Sequence, residues 1–150
     1  MNAVWAFLNN SDKLRKWLFI YWLVSPFLFM GYALMMSQTA SVDLREVLNE
    51  PTMAIAFLTS CMTLIMAGML KGASSENEKT EKVFGIYAVV QQLLVGNLIG
   101  ALLSYFFARS LWLAPTAPFA PRLKWVLLPG MVLIGFLSLM VILIAVNRVL

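Results

Sequence analysis

Apolar residues fall into four long runs, 17–36, 52–70, 83–108 and 125–146, and none of the four contains Asp, Glu, Lys, Arg or His. Each has about the 20 residues that an α-helix needs to cross a bilayer. The pattern predicts an all-α integral membrane protein: a four-helix bundle with four transmembrane helices, forming one domain over residues 1–150. A short apolar stretch, 1–8, precedes the first run and is too short to span. With Trp5 and Phe7 it reads as an amphipathic anchor at headgroup level.

The third run is the most informative. At 26 residues it exceeds the length of one span, yet it carries the amides Gln91, Gln92 and Asn97, which hydrocarbon does not accept unpartnered. Steps of four pick out Ala88, Gln92, Gly96, Gly100, Ser104 and Ala108, a stripe of small or amide side chains. On a single helix the stripe winds slowly, because four residues turn about 40° past a full circle. Asn97 falls on the side of Gly100 and Ser104, and Gln91 points away from Gln92. Gly96 and Gly100 form a G-x-x-x-G, the spacing that lets helix backbones approach in lipid. The expected helix-packing or partner face is Gln92, Gly96, Asn97, Gly100 and Ser104. If several copies surround an axis, Gln91, Gln92 and Asn97 are the candidate pore lining.

Between the runs the signals are local. Asn10 or Ser11 suits a helix N-cap, and Ser25-Pro26 places a kink in the first span. The charged run after Asn10 followed by apolar residues imitates a signal peptide, but the apolar part is too long, so a retained span is expected. In 37–50, Leu44, Val47 and Leu48 share one face of a short helix lying on the membrane, and Asp43, Glu46 and Glu50 read as its solvated side. Pro51 suits the first turn of the second span, with Lys71 and Gly72 closing it. Ser75 and Glu78 form a capping box ahead of the third helix. Pro115, Pro118 and Pro121 recur every three residues, the period of a stiff polyproline II spacer. Gly135 and Ser138 offer close-packing points in the last span, which Pro129-Gly130 is expected to bend.

Met62 and Met66 form an M-x-x-x-M which, with the G-x-x-x-G, resembles two short fragments of the copper-transporter family. That resemblance implies thioether ligands for Cu(I). It ends at those fragments: there are no histidines and no methionine clusters in a tail, and methionine is a common filler of apolar gaps. Cys61 is the only cysteine, so no disulfide forms within the chain. The lipoprotein-like box 58–61 lies behind a complete span, and Cys61 reads as a small buried residue.

Composition narrows the class. Hydrophobic residues make up 61%, charged residues 12%, and mean hydropathy is +0.84, too apolar for a soluble domain of this size. The net charge of +4 is scattered, without the density of a nucleic-acid patch. Four spans put both termini on one side, with seven basic residues there against Arg45, Arg109, Arg122 and Lys124 on the other. The positive-inside rule then makes both termini cytoplasmic, in a bacterial cytoplasmic membrane, with the proline loop outside. The Asn9-Asn10-Ser11 sequon would go unused.

Zero histidines argues against His-ligated metals, haem and His-based catalysis. No nucleotide-binding or hydrolase motif occurs. The expectation is a non-enzymatic protein without cofactor or metal. Its partners are the lipid bilayer and another membrane protein or a second copy, and it works by helix–helix contact as an accessory, regulatory or immunity-type subunit. The alternative is a small oligomeric channel, holin-like pore or transporter.

Overall fold

The structure, a computed structural model, describes residues 8, 10–74, 78–112 and 121–149. At 121–124, 126, 148 and 149 it describes the backbone alone. Most of the N-terminal anchor, the capping-box Ser75 and most of the proline spacer lie outside the described residues.

Helix α1, Ser11–Ala40, starts where Asn10 accepts a bond from the Lys13 amide (3.0 Å) and stops at Ser41, which has φ 54°. Its 30 residues reach about 45 Å, and it runs through Pro26 without a break. Proline has no N–H for the carbonyl four residues earlier, which here is that of Trp22. Thr63 Oγ1 supplies the missing donor to that carbonyl at 3.0 Å and is shared with Ser60 O at 2.7 Å. The proline thus exposes an acceptor that fastens α1 to its neighbour.

Short helix α2, Leu44–Asn49, is capped by Asp43. Helix α3, Pro51–Ser74, opens on its proline and runs through Lys71 and Gly72 to Ser74. Gly72 does not take the left-handed backbone of a glycine stop, so the helix continues past it.

The run 83–108 is not one helix. Helix α4, Glu78–Leu94, and helix α5, Leu98–Ser110, are separated by a turn at 95–97 in which Gly96 has φ +76°. They fold back on each other. A Cβ built on Gly85 would lie 3.2 Å from Ala108 Cβ, although one continuous helix would separate these residues by about 34 Å. At the open end of the hairpin, Lys82 Nζ donates to Trp112 O (3.1 Å) and sits 4.5 Å over the Trp112 ring. Helix α6, Pro121–Val149, lies antiparallel to α3, with Gly130 against Met69, and parallel to α4, with Tyr87 Oη bonded to Met131 O (2.6 Å).

The fold is therefore all-α, with three helices long and apolar enough to cross a membrane among the described residues: Ser11–Ala40, Pro51–Ser74 and Leu127–Asn147. The hairpin arms are shorter, about 25 and 20 Å. Four crossings, and with them both termini on one side, required 83–108 to run straight. The turn at 95–97 removes that basis.

The core sits at one end of the molecule. Leu14, Leu18 and Trp22 of α1 pack on Met62, Met66, Leu70 and Ala73 of α3, and on Phe84, Ala88 and Phe107 of the hairpin. Trp22 and Phe84 meet edge to face at 6.1 Å. The methionines of the M-x-x-x-M are inside this core, 1% and 0% exposed, which is the packing role.

The proline-freed carbonyl gives a testable pair. Thr63→Val keeps the shape and removes the donor, and should cost about 1 kcal/mol, within the range of interhelical bonds in lipid. In a Pro26→Ala background the backbone N–H of the introduced alanine reclaims the Trp22 carbonyl, so the same change should cost less. Thermal unfolding of the four proteins in one detergent measures the coupling; equal costs in both backgrounds would contradict it.

Candidate functional site: an amide chain at the hairpin tip

The turn that divides 83–108 is built from its own residues. Gly96 supplies the left-handed backbone that L side chains avoid. Asn97 is the N-cap of α5, its Oδ1 accepting the Gly100 amide at 3.0 Å. The Asn97 amide N–H bonds to Gln92 O (2.8 Å) and the Gly96 N–H to Leu93 O (3.1 Å). These satisfy carbonyls at the end of α4 that the helix itself leaves without a donor.

From this cap a directed chain of hydrogen bonds crosses the molecule. Tyr21 Oη on α1 donates to Asn97 Oδ1 (2.6 Å), and Asn97 Nδ2 donates to Gln92 Oε1. Gln92 Nε2 donates to Gln91 Oε1 (2.6 Å), and Gln91 Nε2 to Ser138 Oγ on α6 (3.3 Å). Ser138 Oγ donates in turn to Ile134 O (2.8 Å). Both ends of all three amides are engaged. Tyr21 lies about a third of the way along α1, and Thr63 and Ser138 near the middles of α3 and α6, so this polar layer crosses all three long helices.

The sequence-derived face is rearranged accordingly. Of the stripe, Ala88 and Gln92 lie on α4 and Gly100, Ser104 and Ala108 on α5, and these five are buried, with Gly85 of α4 beside Ala108. Rather than forming one stripe on one helix, they are the two inner surfaces of the hairpin. Gly96 is exposed, and a Cβ built there meets nothing within 4 Å among the described residues, so within the chain it serves the turn and not helix packing. Ser104 Oγ bonds to its own helix at Gly100 O (2.7 Å). As for the pore lining, Gln91 and Gln92 are 2% and 0% exposed and bonded to each other. Only Asn97, half-buried, borders open space.

That space is a cleft of about 400 Å³ between the hairpin tip and helices α1 and α3. Tyr21, Ser25, Thr52, Thr59, Ser60, Thr63 and Asn97 line it, and no charged residue does among the described residues. Sequence reasoning missed Tyr21, Ser25 and this cleft, because they depend on the hairpin tip meeting α1. Gly-Asn ahead of an apolar run was the available signal, a turn residue followed by an N-cap.

A second cluster closes the opposite end of the hairpin. Arg15 donates to Glu81 Oε1 (2.9 Å) and to Asp12 Oδ1 (2.6 Å). The Glu81 side chain is 4% exposed, and its Oε2 has no hydrogen-bond partner among the described residues. Burial raises the Glu81 carboxyl above its ordinary value of 4.5, and Arg15, by charge and hydrogen bond, only partly offsets this; Asp12 and Glu78 push it further up. No group of three or more His, Cys, Asp or Glu fit to hold a metal occurs among the described residues.

Two outcomes follow. A Cβ on Gly100 would fall 2.7 Å from Asn97 Nδ2 and nearer still to Gln92 Oε1. Gly100→Ala should therefore break the amide chain and cost about 2 kcal/mol, in the range of overpacking. Leu102→Ala, at an exposed position, should cost far less; thermal unfolding of both in detergent decides, and equal losses would contradict the geometry. For Glu81, a raised folded-state value means that the folded protein binds more protons than the unfolded chain above about pH 4.5. Its contribution to stability therefore falls as pH rises from there through the raised value. Glu81→Gln should lack that component, so wild-type stability should drop relative to the variant across this window and run parallel above it. Parallel curves throughout would refute the assignment.

No family model, curated protein or solved structure matches this chain.

Proposed function

We propose that the chain is a non-catalytic integral membrane protein that crosses the bilayer three times. Residues 78–110 enter from one side as a re-entrant hairpin. The protein works by helix–helix contact, as an accessory, regulatory or immunity-type subunit of a larger membrane assembly. The observation that carries this reading is the closed hydrogen-bond chain from Tyr21 to Ile134: the amides are spent on locking the hairpin and not on a solute. A buried network of this kind fixes one arrangement of helices, which suits a surface that must be recognised.

Charge supports the topology. With three crossings, every Lys and Arg except Arg45 and Arg148 lies on the N-terminal side. Arg109, Arg122 and Lys124, which count against the rule under four crossings, join the basic face. The N-terminus is then cytoplasmic and the C-terminus on the far side, with the proline spacer cytoplasmic. A bacterial cytoplasmic membrane fits this asymmetry.

One observation favours a second reading, a small channel or transporter: the hydroxyl-lined cleft beside Gly96 and Asn97. Re-entrant backbone within a membrane is tolerated where protein buries it or where it lines a watery cavity, and here it borders both.

Two experiments test these proposals. A C-terminal alkaline phosphatase fusion should be active and a C-terminal green fluorescent protein fusion dark; the reverse would restore an even number of crossings. Purification in mild detergent with cross-linking should capture a membrane-protein partner. A solitary monomer that also releases solute from liposomes would replace the contact reading with the pore.

A further inference from the structure

At the basic end of the molecule, α1 and α3 leave between them a cleft of about 230 Å³ lined by Arg15, Lys16, Phe19, Leu70, Lys71 and Ser74. We infer that it is a binding site for the phosphate headgroup of an anionic phospholipid. The charges decide the class of ligand. Arg15 is already divided between Asp12 and Glu81. Lys16 and Lys71 have no acidic partner among the described residues, and no carboxylate lines the cleft. Two lysines, one from each helix, thus line one opening, and their positive charge selects an anion such as a phosphate.

The apolar residues decide between a lipid and a free anion. Phe19 is partly buried against the core and Leu70 is fully buried within it. Both lie deeper along their helices than the lysines (Lys16 to Phe19, Lys71 to Leu70). The cleft is therefore basic at its mouth and greasy at its floor, the profile of a headgroup with the start of its acyl chains. Its place, at the ends of two long apolar helices, is the depth at which lipid phosphates lie, and basic pockets between membrane helices on the positive side take such headgroups. The inference rests on α1 and α3 crossing a membrane and not on the contact function.

The test measures lipid binding to detergent-purified full-length protein by native mass spectrometry. Dioleoylphosphatidylglycerol is titrated against dioleoylphosphatidylcholine. Wild type should bind the anionic lipid more tightly, and Lys16→Gln with Lys71→Gln should weaken it by about fivefold per lysine. Lys16→Arg with Lys71→Arg should retain it, which separates lost charge from lost fold. Lys13→Gln with Lys79→Gln removes two charges from the same face without touching the cleft, and should leave the preference in place. Equal binding of the two lipids, or equal loss in both Gln pairs, would overturn the site in favour of diffuse surface attraction. Displacement of the lipid by millimolar inorganic phosphate would make it a free-anion site and overturn the lipid assignment.

Discussion

Within hydrocarbon there is no water to receive a backbone N–H or C=O left unpaired, and a helix that stops in mid-membrane exposes several at once. With 78–110 re-entrant, as proposed, the turn at 95–97 creates that problem, and much of the rest of the fold answers it. Asn97 is the pivotal residue. Its backbone N–H satisfies the end of α4, its side-chain oxygen caps the start of α5, and the same oxygen accepts Tyr21 from α1. Its amide nitrogen then starts the relay through Gln92 and Gln91 to α6. The same logic repeats on a smaller scale at Pro26, where a carbonyl orphaned by proline is taken by Thr63.

Because the hairpin arms are short, the molecule is unevenly packed along its length. Around the hairpin, α1, α3 and α6 share a core of aromatic, methionine and leucine side chains. Beyond its tip, α1 and α6 turn large side chains outward, among them Phe27, Leu28, Met35, Leu139 and Leu143. That half suits lipid or a partner helix. The packed half carries Arg15, Glu81 and the Lys82–Trp112 clip, so charge, core and hairpin opening coincide at one face.

Much of the helical content was legible in the sequence, since uncharged runs of about 20 residues admit little else in a membrane. Asn10 as a cap, Pro51 at a helix start and the short helix near Leu44 followed from local chemistry. The small residues of the third run were also legible as a packing face. What they pack against was not. Steps of four select Ala88 and Gln92, then Gly100, Ser104 and Ala108, whether the helix continues or folds back, and apolar length argued for continuation. Gly96-Asn97 carried the opposite message in two residues. The Arg15–Glu81 pair and the Tyr21–Asn97 bond join positions 66 and 76 residues apart, and no local pattern announces such pairs.

The central claim is that 78–110 is a hairpin. It is tested most directly by the distance between spin labels placed at Val83→Cys and Arg109→Cys, in a Cys61→Ser background. Double electron–electron resonance in liposomes should give a separation near that of two packed helices, whose axes lie about 8–10 Å apart, plus the reach of the labels. Alongside it, Gly85→Cys and Ala108→Cys should form an intramolecular disulfide on mild oxidation. A label distance near 39 Å, the length of about 26 residues of unbroken helix, with no intramolecular disulfide, would contradict the account.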